Sequence, residues 1–125
     1  MKKMALTLVL AAAALMLSGS VPAHHGEANY DTDHLVSVKA TVTSFLFINP
    51  HVQLTLDATN DKGEVEHWTC EARSPAMLVR VGDWNKNTLK VGDVITAVGF
   101  QSKNGAKILR LKKIVLANGK ELDDL

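Results

Sequence analysis

The sequence feature that most limits the fold is a two-residue alternation of apolar and polar side chains, which recurs along much of the chain after residue 34. Val36, Val38 and Val42, for example, alternate with serine, lysine and threonine residues, as expected for a strand with one buried face. Turn residues such as Asp61-Lys62-Gly63 separate these segments. The pattern predicts five strands, at residues 35–48, 51–60, 64–72, 94–100 and 106–117.

One segment has the features of a helix instead. Ser74 and Pro75 are a typical N-cap and first helical residue, and Gly82 is typical of a helix end. The predicted order is therefore three strands, a helix and two strands, with a bend in the first strand after Ser44 and a bulge near Lys112-Lys113 in the last. This order predicts an all-β fold with one small helix, a five-stranded OB-like barrel. A looser β-sandwich is the alternative.

The alternation also predicts which side chains form the core. Those expected to face inward from the strands are Val38, Val42, Leu54, Leu56, Trp68, Cys70, Val94 and Val98. Cys70 is the only cysteine, so we expect no internal disulfide bond. Its position on the same strand face as Trp68 predicts a buried, unreactive thiol.

The first residues indicate export. Lys2 and Lys3 precede an apolar run at residues 4–17, and small residues follow as far as Val21-Pro22-Ala23. This is the pattern of a signal peptide cleaved after Ala23, and the run is short for the alternative of a retained membrane anchor. The prediction is a periplasmic protein with no membrane span after processing. Its parts are a signal peptide at 1–23, a polar histidine-rich arm at 24–34 and an OB-like barrel at 35–125.

The charge balance of the processed chain is close to neutral. The whole chain has 14 basic and 13 acidic residues, so removal of Lys2 and Lys3 leaves about one acidic residue in excess. No basic surplus would attract nucleic acid. Trp68 is the only aromatic residue on the second and third predicted strands, and it is expected in the core, so a base-stacking face is also absent. We therefore predict no nucleic-acid partner.

The histidines are the candidate ligands of a metal ion. Cleavage after Ala23 would make His24 the N-terminal residue, whose amine and imidazole nitrogens can bind one ion together, as in the first half of a copper histidine brace. His51 is the first choice for a distant ligand and His67 the second, with His25 a weaker candidate. His34 is expected to belong to a solvated polar cluster.

The predicted pairing of the second and third strands gives His51 a partner. If Asn60 lies opposite Glu64 in the hairpin, then His51 falls opposite Arg73 and diagonal to Glu71. The Glu71 carboxylate would then be placed to orient the imidazole of His51 for metal binding.

A set of short motifs covers nearly the whole processed chain. They are His24-His25, Tyr30-Asp31, Asn49-Pro50-His51, Leu54-Thr55-Leu56-Asp57, Ser74-Pro75 with Leu78 and Arg80, Gly82 with Trp84, and Leu89-Lys90-Val91-Gly92-Asp93. In their order and spacing they resemble a family of small secreted bacterial proteins classified only as a domain of unknown function. The resemblance implies export and a single domain, and it implies no activity. Cys70 departs from it, because family members more often carry an aliphatic residue there.

These features favour a binding protein over an enzyme. The sequence has no phosphate-binding glycine loop and no paired nucleophile and base. We expect a non-enzymatic periplasmic protein that binds copper through His24 and His51. The alternative is an envelope protein–protein interaction module or accessory subunit in which the histidines bind no metal.

Overall fold

The structure is a computed structural model that describes residues 26–124. The predicted signal peptide, His24 and His25 lie outside the described residues. The elements are β1 (Tyr30–Leu46), β2 (Gln53–Thr59), β3 (Val65–Glu71), α1 (Pro75–Gly82), β4 (Val94–Ser102), β5 (Ile108–Val115) and β6 (Glu121–Asp123). Within residues 26–124, no helix has the length and apolar character needed to cross a bilayer.

All six strands belong to one sheet, in the order β3-β2-β1-β4-β5-β6. A parallel pairing of β3 with β5 closes β1 to β5 into a ring of five strands, and the other pairings are antiparallel. The predicted all-β class with one small helix is confirmed, and the ring has the number of strands expected of the predicted barrel. One continuous hydrogen-bonded sheet is not the looser sandwich considered as the alternative.

Two parts of the sheet were not predicted. β1 begins at Tyr30, so residues 30–34 extend the strand into the segment predicted as an arm. Tyr30 pairs with Ser102 of β4, and the Lys103 N–H donates to the Asn29 carbonyl at 2.8 Å. The short strand β6 pairs with the end of β5. Residues 30–34 are mostly polar, and β6 has three residues of which Leu122 is buried, so neither segment shows an apolar alternation in the sequence.

The predicted irregularities in the strands are present. The β1–β2 register shifts between Val42 and Ser44, next to the predicted bend. The β4–β5 register shifts between Val98 and Gly99, which leaves Lys112 as the extra residue of β5. A Cβ atom on Gly99 would overlap the Arg110 carbonyl, so the two strands approach closely there because residue 99 is glycine.

Seven of the eight predicted side chains are buried, and six of them belong to the core cluster, at positions 38, 42, 54, 56, 68 and 70. Val98 is buried outside that cluster. Val94 is the exception, because 44% of it is exposed. Ile95 and Ala97 are the inward residues of β4 at that end. Since Val94, Ile95, Ala97 and Val98 are all apolar, both faces of this strand look alike in the sequence, and alternation could not fix its phase.

Candidate functional site

His51 lies just before β2, where backbone hydrogen bonds continue the β2–β3 ladder past the ends of both strands. The Val52 N–H donates to the Arg73 carbonyl at 3.0 Å, and the Ala72 N–H donates to the Val52 carbonyl at 2.9 Å. Gln53 pairs with Glu71, which is the register predicted from the hairpin. His51 therefore sits on a rigid backbone next to the end of β3.

The imidazole ring of His51 is oriented by the backbone. Its Nδ1 atom lies 3.1 Å from the Ala72 carbonyl oxygen, and because a carbonyl can only accept, Nδ1 carries the proton and donates. In the neutral ring this leaves the lone pair on Nε2. A hydrogen bond of this kind at one ring nitrogen is the usual partner of metal binding at the other.

The Nε2 atom of His51 faces the carboxylate of Glu71. The distance from Nε2 to Oε1 is 3.6 Å, and both side chains are half-exposed. That distance is too long for a hydrogen bond. Two ligand atoms that bind the same metal ion, each about 2 Å from it, are about 2.8 Å apart when the angle at the metal is 90°. They are about 4 Å apart when that angle is 180°. Glu71 is therefore a neighbour of His51, as predicted, but the acceptor that orients the ring is the Ala72 carbonyl. The distance between Nε2 and the Glu71 carboxylate falls within the range for two ligands of one ion.

Both side chains line a cavity of about 590 Å³. Its wall also contains Gly26, Glu27, Tyr30 and Arg110, so β1, β3 and β5 and the segment before β1 all contribute to it. We call it the His51 cavity. Gly26 is the residue that directly follows His24-His25 in the sequence.

The charges in the His51 cavity favour a cation. Glu27 and Glu71 contribute two carboxylates, whereas Arg110 is the one cationic side chain among the lining residues. The Arg110 Nη1 atom donates to the Glu71 carbonyl at 3.2 Å and to the carboxylate of Asp124 at 3.3 Å. The lining residues therefore carry two carboxylates and one guanidinium, and the guanidinium is also paired with Asp124.

Tyr30 is a further polar residue in the wall of this cavity. Its pKa is raised above the ordinary value by burial and by the negative charge of Glu71, against an opposing effect of Arg110. The phenol therefore stays protonated at neutral pH and can donate a hydrogen bond. Sequence reasoning missed Tyr30, Arg110 and Asp124, because their proximity depends on the ring closure and on β6.

The other candidate histidines are elsewhere. His67 lies on the outer face of β3 opposite Asp57, with 2.6 Å between its Nδ1 and the Asp57 Oδ1. Arg73 is the residue opposite His51 in the continued β2–β3 register. His67 precedes Arg73 by six residues, a distance of about 20 Å along an extended strand. The structure therefore does not bring His67 and His51 together. His24 and His25 lie outside the described residues.

His34 forms a local pair with Asp31. The Nδ1 to Oδ2 distance is 2.9 Å, and the pair is solvent-exposed, as expected for a polar cluster. The hydrogen bond and the charge of Asp31 raise the pKa of His34, and the same hydrogen bond lowers the pKa of Asp31. Within residues 26–124, no group of three or more histidine, cysteine, aspartate or glutamate side chains is arranged to hold a metal ion.

Cys70 is a free, fully buried thiol, as predicted. Burial raises its pKa to about 12, so it is not ionised at physiological pH. A neutral thiol in the core is neither a nucleophile nor a metal ligand, and Cys70 contributes to packing.

Comparison with known proteins places the chain in a family without supplying an activity. No curated protein and no solved structure matches it. A family of unknown function, DUF6152, matches residues 12–109, a span that includes β1 to β4 and both His51 and Glu71. The resemblance to a small domain of unknown function is confirmed, and the chain belongs to DUF6152.

Proposed function

We propose that this protein is a non-enzymatic, exported binding protein that holds one transition-metal ion, preferably Cu(II), at the His51 cavity. The proposed ligands are the Nε2 atom of His51 and the N-terminal amine and imidazole of His24. Glu71, 3.6 Å from the Nε2 atom of His51, would serve as a further oxygen ligand or as a neighbouring charge. Nitrogen ligands of this type suit Cu(II), which also has the highest affinity among the first-row divalent ions.

The observation that carries the proposal is the orientation of the His51 ring, which fixes the partner of each ring nitrogen. Its Nδ1 is occupied by the Ala72 carbonyl, and its Nε2 faces Glu71 at 3.6 Å in a cavity with two glutamates in its wall. A neutral imidazole with its lone pair directed at a carboxylate is a repulsive arrangement unless a proton or a metal ion lies between them.

Chain connectivity supports His24 as the missing ligand. Within residues 26–124, no third histidine, cysteine, aspartate or glutamate forms a metal-binding group with His51 and Glu71, so a complete site requires another donor. Gly26 lines the cavity, and consecutive Cα atoms are about 3.8 Å apart, so His25 and His24 begin within one and two residues of the cavity wall. Cleavage after Ala23, which is part of this proposal, would provide the free amine.

Copper titration by calorimetry on the exported protein tests the proposal, after intact-mass measurement of its N-terminus. We expect one Cu(II) per chain. Removal of a residue that only orients a metal ligand usually weakens metal binding by about 10- to 100-fold. His51→Ala removes a proposed ligand itself, so it should weaken copper binding by more than this. An extra residue before His24 should weaken binding similarly, whereas His67→Ala is the matched control and should have little effect.

The pH dependence gives a second check. The reference pKa is about 7.7–8.0 for an N-terminal amine and about 6.5 for imidazole, and both groups must lose a proton to bind a metal. Copper affinity should therefore decrease as the pH falls through that range. If the extended protein and His51→Ala bind copper as tightly as the parent, the proposed site does not exist. The protein would then be interpreted as an envelope protein–protein interaction module.

A further inference from the structure

A second cavity, of about 310 Å³, lies next to the His51 cavity and shares Glu27, Tyr30 and Arg110 with it. Its other lining residues are Thr32, Arg73, Phe100 and Lys112. Three of its seven lining side chains are cationic, so we call it the cationic cavity. The metal proposal makes no use of it.

The positive charges of the cationic cavity are only partly neutralised. Asp124, whose side chain is fully buried, lies 3.6 Å from Arg73 Nε and 3.3 Å from Arg110 Nη1. Burial raises the pKa of Asp124, and the positive charges of Arg110, Arg73 and Lys112 each act in the opposite direction. Asp124 and Glu27 carry two negative charges, and the three cationic side chains of the cavity carry three positive charges, so the net charge is positive.

The cationic cavity also offers hydrogen-bond donors. Among residues 26–124, the only acceptors of Arg110 are bonded to its Nη1 atom, which leaves the N–H groups on Nη2 and Nε without a partner in that range. Lys112 and Tyr30 line the same cavity, and an ammonium group and a phenol hydroxyl can each donate a hydrogen bond. A planar guanidinium, an ammonium and a phenol together are a typical donor set for an oxyanion.

We propose that the cationic cavity binds a small oxyanion, either a carboxylate or a phosphate, with Arg110, Lys112 and Tyr30 as the contacting residues. Arg73 also lines the cavity and adds positive charge, and Glu27, which lines both cavities, offsets part of that charge. Because none of the three contacting residues is a proposed metal ligand, the oxyanion site does not depend on the metal proposal.

The test is a titration of the metal-free exported protein with inorganic phosphate, citrate or acetate at constant ionic strength, followed by amide chemical shifts. We expect saturable shifts confined to residues 27–32, 73 and 110–112. A response to phosphate alone would identify a phosphate site, and a response to citrate and acetate would identify a carboxylate site. Shifts spread over the whole surface, or none at 20 millimolar probe, would overturn the proposal.

Adjacent lysines provide a matched pair of variants. Lys112 lines the cationic cavity, whereas Lys113 is paired with Glu121 at 3.0 Å. Lys112→Ala should weaken anion binding by about fivefold or more because a charge-assisted contact is lost, and Lys113→Ala should leave it unchanged. Equal losses in both variants would show only general charge screening and would contradict a defined site.

The same titration in the His51→Ala protein separates the two proposals. Anion binding should be retained there even if copper binding is lost or was never present. Loss of anion binding in His51→Ala, with the fold intact by circular dichroism, would show that the two cavities are one site and would overturn the separate oxyanion site. Tyr30→Phe, which removes only a hydroxyl group, should give a smaller loss than Lys112→Ala.

Discussion

At the scale of single residues, the important interactions at the site come from the backbone as much as from side chains. The hairpin register predicted that His51 and Glu71 would be neighbours, and they are 3.6 Å apart. The carbonyl of Ala72 was not predictable as the acceptor for His51, because backbone acceptors are present at every residue and leave no sequence signal. Arg110 and Asp124 were missed because they are brought together by the pairing of β5 with β6, which has no signal in the sequence.

The pair formed by His34 and Asp31 predicts a measurable shift in titration. Since the hydrogen bond and charge of Asp31 raise the pKa of His34, the imidazole should titrate above the ordinary 6.5 in histidine NMR spectra. Asp31→Asn should bring the pKa back down. Both groups are exposed, so the change should be reduced at high salt. A pKa of His34 that does not respond to Asp31→Asn would contradict the pairing.

Burial of Cys70 predicts slow reaction with thiol reagents. Its pKa is raised to about 12 and its side chain is fully buried, so almost no thiolate is available at pH 8. Labelling with a disulfide reagent should be slow in native protein and fast in concentrated urea. Rapid native labelling would mean that the β3 region opens easily, contrary to its place in the core.

At the scale of elements, the sequence predicts strands well where one face is apolar and poorly where a strand is polar or too short to show an alternation. β2 and β3 have a clear alternation, and their inward residues are buried as predicted. The polar start of β1 and the short β6 gave no such pattern. β4 is apolar on both faces, which is why Val94 was placed in the core incorrectly.

A pair of truncations measures these facing assignments. Leu54 is fully buried, so Leu54→Ala should lower the free energy of unfolding by about 2–5 kcal/mol in urea denaturation. Val94 is 44% exposed, so Val94→Ala should cost less than about 1 kcal/mol, mostly through reduced strand propensity. Similar costs for the two variants would contradict the observed phase of β4.

At the scale of the whole molecule, the site is assembled from distant segments around a closed ring. The His51 cavity lies where the segment before β1, the residues before β2, the end of β3 and the start of β5 meet. Asp124 joins this region to the C-terminal end, because it accepts a hydrogen bond from the Arg73 N–H at 3.1 Å and pairs with Arg110. A sequence pattern can predict the strands, but which ends meet depends on the β3–β5 closure.

The buried carboxylate of Asp124 predicts a pH dependence of stability. Its pKa is raised in the fold, mainly by burial. A raised acid pKa means that its contribution to stability is fully present below the unfolded-state value of about 3.9 and is lost as the pH rises through the folded-state value. The free energy of unfolding of the parent, relative to Asp124→Asn, should therefore fall as the pH rises across that window. Asp123→Asn is the matched control, and a relative stability that rises with pH would contradict the assignment.

Metal binding at Nε2 of His51 is tested most directly by paramagnetic broadening of histidine ring signals. Substoichiometric Cu(II) is added to exported protein with ¹⁵N-labelled histidine. We expect the ring signals of His51 to broaden first, together with those of His24, while those of His67 and His34 stay sharp. Broadening that begins at His67 or His34 and leaves His51 unaffected would contradict it.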